Sequence, residues 1–468
     1  MTTKIKFGTD GWRAVIGKEY TFENVHRVSE AVSLWLKEQY SESSVVLGYD
    51  CRFNGRLFAK EVAKVLAHKG HKVLLSHDFV STPAVALGVL KHEAQLGIVL
   101  TASHNPPSYG GYKLKGDFGG PLPEGQVKEI EARIPGQLEL DYETVEFDEL
   151  RTSDQIIPVD LEAEYIEHAR NHFDLDAIAN SKFRFGFDAM FGSGQRIVSA
   201  LLPNVSTLHC EYNPSFKGIS PEPIARNLAE FMEFVPGNGL DCGLATDGDA
   251  DRIAMVDADG TFIDAHHIIL ILIHYLHHHK KMEGDVVTGA SSTNKIAQLC
   301  DYYGLNLDIV KIGFKHTSEL MREKDILVGG EESGGIAVKG HIPERDGIWM
   351  GLVIWEFMAK TGKSLHEIIQ EVYSIVGPFA FQRRDLRLPN KQKQRIVSEC
   401  ESDQYSTFGK YTVQRVDKTD GFKFILDENS WVMIRPSGTE PVLRIYAEAP
   451  DVATAKDIVT TTISVISN

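Results

Sequence analysis

Three similar mixed α/β domains and a smaller C-terminal α+β domain with an antiparallel sheet are what this 468-residue sequence predicts. Two internal observations and a length argument lead there. Apolar β-branched runs alternate with amphipathic helical stretches, as parallel α/β layers do. A strand–turn–helix unit that later returns to a short apolar strand ending in a polar loop occurs three times. A chain of this length also holds about three or four domains of roughly 150 residues.

The first unit opens with the buried-strand pattern "SVVLGYDCR", continues into the helical "GRLFAKEVAKVLAHKG" and closes with "LGIVLTASHNP". The second opens at "FRFGFDAMFGSGQRIVSALL" and closes with "DCGLATDGDADR". The third opens at "GDVVTGASSTNKIAQLC" and closes with "DILVGGEESGG". No repeat of solenoid period is present. Beyond Pro378 the character changes: "FKFIL", "WVMIR" and "VLRIYAEA" read as closely spaced strands, followed by the helical "VATAKDIVTTTISVI". Breaks in the pattern near Ser153, Asp259 and Pro378 divide the chain into expected domains 1–153, 154–258, 259–377 and 378–468.

Composition excludes several classes. Lys plus Arg is 49 against 65 Asp plus Glu, a net charge of −16. That balance argues against a general nucleic-acid or anionic-membrane binder, while leaving room for a local basic pocket. The five cysteines are dispersed without a CxxC pair, so neither a disulfide framework nor a zinc site is indicated. The N-terminus lacks an apolar signal core, and "IILILIHYL" is too short for a membrane span. A soluble cytoplasmic protein is expected. The tract His277–His279 reads as a solvated helix end, because adjacent helical side chains point in different directions.

Strand-end loops are where open α/β sheets bind ligands, and four of them concentrate polar groups. In "ATDGDADR", Asp247, Asp249 and Asp251 stand two apart on one turn. Three such carboxylates repel one another unless a cation offsets them, and oxygen-only donors suit a hard ion such as Mg²⁺, Ca²⁺ or Mn²⁺. A calcium-binding EF-hand loop would need Gly and Glu where Arg252 and Ala258 stand, so that alternative fails. "EESGG" places Glu331 and Ser333 to meet hydroxyl groups, or forms an ordinary glycine-rich turn. "IRPSGTEPVLRIY" brings Arg435, Ser437, Gly438, Thr439 and Arg444 to a turn that reads equally as a phosphate nest or a hairpin. In "TASHNP", Ser103 is followed by His104, which as its neighbour is poorly placed to activate it as a hydrolase nucleophile; no G-x-S-x-G elbow occurs. A phosphoryl carrier assisted by a cation fits these residues better.

The four loops "TASHNP", "DGDADR", "GEESGG" and "RPSGTEP", in this order, resemble the α-D-phosphohexomutase superfamily over essentially the whole chain. The resemblance implies four domains around a central cleft. It implies that Ser103 is the phosphorylated serine and that Asp247, Asp249 and Asp251 are Mg²⁺ ligands with a phosphoserine oxygen beside them. Arg252 then lies next to the phosphoryl group, with Arg13 of "GTDGWR" and Lys113 of "GGYK" around it. Lys113 is the candidate for acid–base assistance, supported by His104. Glu331 and Ser333 match sugar-hydroxyl contacts, Lys315 of "KIGFKHT" helps orient the sugar, and Arg435, Ser437, Gly438, Thr439 and Arg444 hold the non-reacting phosphate. The implied reaction passes a phosphoryl group from Ser103 to a hexose monophosphate. The resulting glucose 1,6-bisphosphate reorients and returns its other phosphate, while the fourth domain swings about a hinge near Pro378.

Where related loops read "GEMSGH" or "GEQSGH", this chain has Glu332 and Gly335, closer to the "GEES" of phosphoglucomutases. Glucose 1-phosphate is therefore the expected substrate, with mannose 1-phosphate second. The absent histidine leaves open whether His341 takes its place. The alternatives are a phosphomannomutase or phosphoglucosamine mutase, a sugar 1,6-bisphosphate synthase, and a non-catalytic sugar-phosphate binder. The expected partner is a small phosphosugar, with no nucleic acid or membrane, on a monomer or homodimer.

Overall fold

A computed structural model describes residues 4–436 and 442–467. The chain forms two compact units, one of residues 1–282 with 313–368 and one of residues 283–312 with 369–468.

In the first unit, a six-stranded sheet runs edge to edge through Trp12–Val15, Tyr109–Gly116, Leu96–Leu100, Ser44–Tyr49, Lys72–Ser76 and Ile156–Val159. The last four are mutually parallel and the first two antiparallel to their neighbours. Leu96–Leu100 is buried throughout, as its unbroken apolar run requires of a central strand. Helix Phe22–Gln39 begins at Thr21, whose hydroxyl accepts from Asn24 N, and buries Val25, Val28, Val32, Trp35 and Leu36 along one stripe. Helix Gly55–His68 buries Phe58, Ala59, Val62, Ala63 and Leu66 in the same core.

A second sheet of the same unit runs Phe262–Ile263, Ile253–Asp257, Cys242–Thr246, Phe185–Asp188, Ser206–Leu208. Cys242–Thr246 is fully buried and forms an antiparallel hairpin with Ile253–Asp257. The strands Ile326–Gly330 and Ile336–Val338 form another hairpin. The "GEESGG" residues make its turn. The histidine tract differs from the reading as a plain solvated end: His274–His279 forms a π-helical turn in which His274 is buried and only His278 is exposed. No helix among the described residues is long and apolar enough to cross a membrane.

In the second unit, Asp285–Gly289 pairs in parallel with Leu307–Val310. A five-stranded antiparallel sheet follows the order Ala380–Arg387, Val442–Ala449, Trp431–Pro436, Phe422–Ile425, Arg415–Asp417. Helix Val452–Ser467 buries Ala455, Ile458, Val459 and Ile466 against that sheet. Three of the strands are those read from the sequence. Ala380–Arg387, within a segment read only as a boundary, is an edge strand: its charged side chains conceal a pairing of eight residues with Val442–Ala449.

One buried group makes this fold sensitive to acid. His71 is 3% exposed, with Nε2 2.8 Å from Ser33 Oγ and Nδ1 2.6 Å from Ser43 Oγ. Burial, reinforced by the charge of Lys37, pushes the imidazole down to about 4. An unfolded chain titrates this group near 6.5, so between those values the unfolded state holds the additional proton. The stability contribution is complete above about pH 6.5 and is lost as pH falls toward 4. The stability gap between wild type and His71→Asn is therefore expected to be wide at about pH 7 and to narrow by about pH 4.5 in thermal unfolding; a gap independent of pH would contradict this account.

Candidate active site

The site is assembled in the first unit from the ends of buried strands. After Leu100 the chain turns through Thr101 and reaches Ser103 at φ 52°, in the left-handed region. Thr101 Oγ1 accepts from Ser103 N at 2.8 Å and donates to Asp50 Oδ2 at 2.6 Å. Arg52 fixes the outside of the same turn. Its guanidinium donates to the carbonyls of Ser103 (2.5 Å), Asn105 (2.8 Å), Pro106 (2.9 Å) and Tyr109 (3.1 Å), while Nε reaches Asp50 Oδ2 at 3.1 Å. The irregular loop is thus neither decoration nor loose, since its backbone acceptors are held by one buried arginine.

Ser103 Oγ donates to Asp247 Oδ2 at 2.8 Å. One oxygen from each of Asp247, Asp249 and Asp251 lies within 4.8 Å of the others, and all three residues are buried. Asp247 Oδ1 accepts from the backbone N of Asp251 and Arg252. Asp249 Oδ2 accepts from Thr82 Oγ1 and Lys113 Nζ. The close approach explains one spacer: a Cβ at position 248 would sit 2.6 Å from the carbonyl oxygen of Ser103, so glycine is required there.

Cationic side chains face these carboxylates. Lys113 Nζ lies 2.8 Å from Asp10 Oδ2, 2.8 Å from Asp249 Oδ2 and 2.9 Å from Asp251 Oδ2. Burial works against its charge, but Asp10, Asp249 and Asp251 outweigh burial and hold the ammonium protonated well above its ordinary range. It is therefore held here as a cation that keeps its proton. Asp247 is pushed well above the usual carboxylate range by burial and by its neighbours Asp249 and Asp251. Asp249 Oδ1 and Asp251 Oδ1 are buried with no hydrogen-bond partner among the described residues. Unpartnered carboxylate oxygens of this kind are costly, and their chemistry fits a hard divalent cation.

His104 corrects the reading that adjacency places it poorly. Its Nδ1 is 3.2 Å from Ser103 Oγ. The left-handed backbone at Ser103 turns two consecutive side chains to the same side. Burial, then the charges of Arg252 and Arg13, push its imidazole well below the ordinary range, so it is neutral.

Other expected site residues fall into two groups. Arg13 donates to Asn105 Oδ1 at 2.7 Å and to Asp10 Oδ2 at 3.1 Å, within the site. Arg252 directly follows the triad, with its Nε buried and unpartnered among the described residues. Glu331 Oε1 accepts from Gly313 N at 2.6 Å, and burial followed by the charge of Glu332 raises the carboxyl to about 7. Ser333 is half-buried in the same turn, while Lys315 pairs with Glu124. Arg435 and Arg444, in the second unit, are direct cross-strand partners. Arg435 Nε pairs with Asp420 at 3.1 Å and Arg444 Nε lies 3.8 Å from Asp385. Ser437, Gly438 and Thr439 lie outside the described residues.

The sequence reading missed Arg345, Asp10, Arg52 and Thr82. Arg345 NH2 reaches Asp251 Oδ2 at 2.7 Å and Asp10 Oδ2 at 2.8 Å. It also accounts for Gly335, because a Cβ there would lie 2.4 Å from Arg345 Cδ. His341 does not replace the histidine absent at that position: its buried ring stacks on Trp349 at 3.7 Å, and Nε2 is 2.9 Å from Asp346 Oδ2. A signal for Arg345 was present in "PERDG", where Asp346 caps helix Gly347–Thr361 and fixes the residue before it.

The chain is similar to known proteins along most of its length. The four phosphoglucomutase/phosphomannomutase domain descriptions match in order: α/β/α domain I over residues 4–140, domain II over 163–260, domain III over 264–376 and the C-terminal domain over 386–463. A phosphoglucomutase/phosphomannomutase of Thermococcus kodakarensis is 30% identical over 460 residues, 96% of each chain. The phosphoglucosamine mutase of Latilactobacillus sakei is 29% identical over 453 residues, covering 95% of this chain and 94% of that protein. The crystal structure of a candidate phosphomannomutase from Thermus thermophilus superposes with a TM-score of 0.87 at 32% identity, covering both chains completely. The fold and these matches define a phosphohexomutase architecture, three mixed α/β domains and a C-terminal antiparallel-sheet domain. The chain belongs to the phosphoglucomutase/phosphomannomutase family.

Removing the ammonium exposes the charge problem directly. Leaving buried carboxylates without their partner costs about 3–5 kcal/mol. Lys113→Met is expected to lower the Tm in EDTA and to regain more of it than wild type on addition of Mg²⁺. A loss of stability that Mg²⁺ does not reduce would contradict the site's role as a cation cage.

Proposed function

We propose that this phosphohexomutase interconverts α-D-glucose 1-phosphate and glucose 6-phosphate through a phosphoserine at Ser103 and a glucose 1,6-bisphosphate intermediate. The observation that carries the reading is Ser103 Oγ, 2.8 Å from a buried triaspartate cluster that keeps two carboxylate oxygens unpartnered. Asp247, Asp249 and Asp251 would hold Mg²⁺, whose charge offsets that of the phosphoryl group.

Phosphoryl transfer to a sugar hydroxyl breaks the P–Oγ bond of phosphoserine and forms a P–O bond to the sugar; the hydroxyl proton leaves as Ser103 Oγ regains one. His104, with Nδ1 3.2 Å from Oγ, is within reach to carry a proton at that atom. Lys113 and Arg252 present positive charge to the transferring group. Arg13 and Arg345 orient the Asp10 carboxylate between them. Glu331 and Ser333 meet the sugar hydroxyls with help from Lys315, and Arg435 and Arg444, with Ser437, Gly438 and Thr439, take the distal phosphate.

The glucose preference rests on "GEESGG" and on Arg345 filling the space beside Gly335. Glucosamine 1-phosphate is the second reading, favoured by the name of a 29% identical relative.

Incubation with glucose 1,6-bisphosphate is expected to add ~80 Da to the intact mass, absent in Ser103→Ala. No adduct on wild type would favour a non-catalytic binder. With Mg²⁺ and the bisphosphate present, kcat/KM is expected to be highest on glucose 1-phosphate; a higher value on mannose or glucosamine 1-phosphate would overturn the preference. Asp249→Ala is expected to keep its fold by circular dichroism and to lose at least about a hundredfold in kcat, whereas unchanged turnover would remove the metal assignment.

A further inference from the structure

A second cavity lies in the first unit, outside the site just described. It has a volume of about 200 Å³ and lies where strands Ser44–Tyr49 and Lys72–Ser76 end, against the first turns of helix Gly55–His68 and the short helix Phe147–Thr152. The ends of parallel strands are where α/β sheets take ligands.

Its lining divides by chemistry. Tyr49, Leu75, Phe147 and Ile156 supply an apolar and aromatic wall. Arg56, Lys60 and Arg151 contribute three cations to the lining, against the single carboxylate of Asp148. None of the three cations forms an ion pair among the described residues. Lys60 instead stands over the Phe147 ring at 5.2 Å. Arg56 and Lys60 are four apart on one helix, a spacing at which like charges repel. In a chain of net charge −16, a cavity with two excess positive charges and no ion-pair partner for them among the described residues stands out.

We propose that this cavity binds a small organic phosphate, distinct from the sugar phosphate handled at Ser103. Two excess positive charges match a phosphate dianion, and guanidinium groups suit its oxygens. The aromatic wall favours an organic group over a bare ion. The volume is smaller than the roughly 300–1,000 Å³ of sites for drug-sized ligands, which limits the occupant to a compact molecule. The lining residues do not belong to the cluster around Ser103, so binding here does not depend on the assigned reaction.

Hydrogen–deuterium exchange on the full chain tests this by region, with inorganic phosphate and phenyl phosphate as probes. Phenyl phosphate is expected to protect peptides covering residues 55–60 and 147–156, at concentrations at least about fivefold lower than inorganic phosphate requires. The double variant Arg56→Gln/Arg151→Gln is expected to weaken that protection at least about tenfold. Both arginines are exposed, so the variant should fold; Lys60→Gln provides a second, milder test with the same sign. Absence of protection in those peptides at saturating probe overturns the site, as does equal protection in the double variant. Equal potency of the two probes overturns its assignment to an organic phosphate.

Discussion

The concentration of buried negative charge beside one serine is the constraint on which the rest of the site depends. Asp247, Asp249 and Asp251 occupy a single turn, with Asp10 brought to the same cations from the other end of the first unit. In a low-dielectric interior such a cluster survives only if it is neutralised. Lys113 and Arg345 supply that neutralisation from two separate segments, so the cluster works as a fastener between them. Under the proposed function, the charges that are costly on their own make a place for a cation and a phosphoryl group to share.

Backbone topology explains why the cluster forms at this point. Strands Ser44–Tyr49 and Leu96–Leu100 are adjacent and parallel, yet the chain leaves the first toward Lys72–Ser76 on its opposite side. The connecting segments therefore diverge, leaving a crevice at the strand ends. Asp50 and Arg52 emerge from one side of it and Thr101 and Ser103 from the other. The hydrogen bonds of Arg52 to four carbonyl oxygens convert that crevice into a rigid seat. A serine held at positive φ by such a network is backbone strain sustained by its surroundings, a common property of functional positions.

Legibility in the sequence followed how locally each feature is encoded. The triad, the serine loop and the "GEESGG" turn were readable because each packs its polar groups into one short run after an apolar strand. Arg345, Asp10 and Arg52 escaped because their partners lie far away in sequence, and nothing in a run of residues reports a contact of more than 300 positions between Asp10 and Arg345. The closeness of His104 to Ser103 Oγ was legible only through the family resemblance, because spacing alone does not reveal the sign of φ at Ser103. Gly335 was recorded as a departure, but its reason, the volume of the Arg345 side chain, is a property of packing. The strand Ala380–Arg387 was hidden by edge-strand chemistry, where exposed charge replaces apolar alternation.

The central claim is that the Ser103 hydroxyl and the three aspartates surround one divalent ion. Anomalous diffraction from crystals grown with Mn²⁺ tests it most directly. The account predicts a single strong peak within about 2.5 Å of oxygens from Asp247, Asp249 and Asp251, with the phosphorylated or free Ser103 side chain facing it. A peak elsewhere, or none at these carboxylates with Lys113 still seated among them at saturating Mn²⁺, would contradict it.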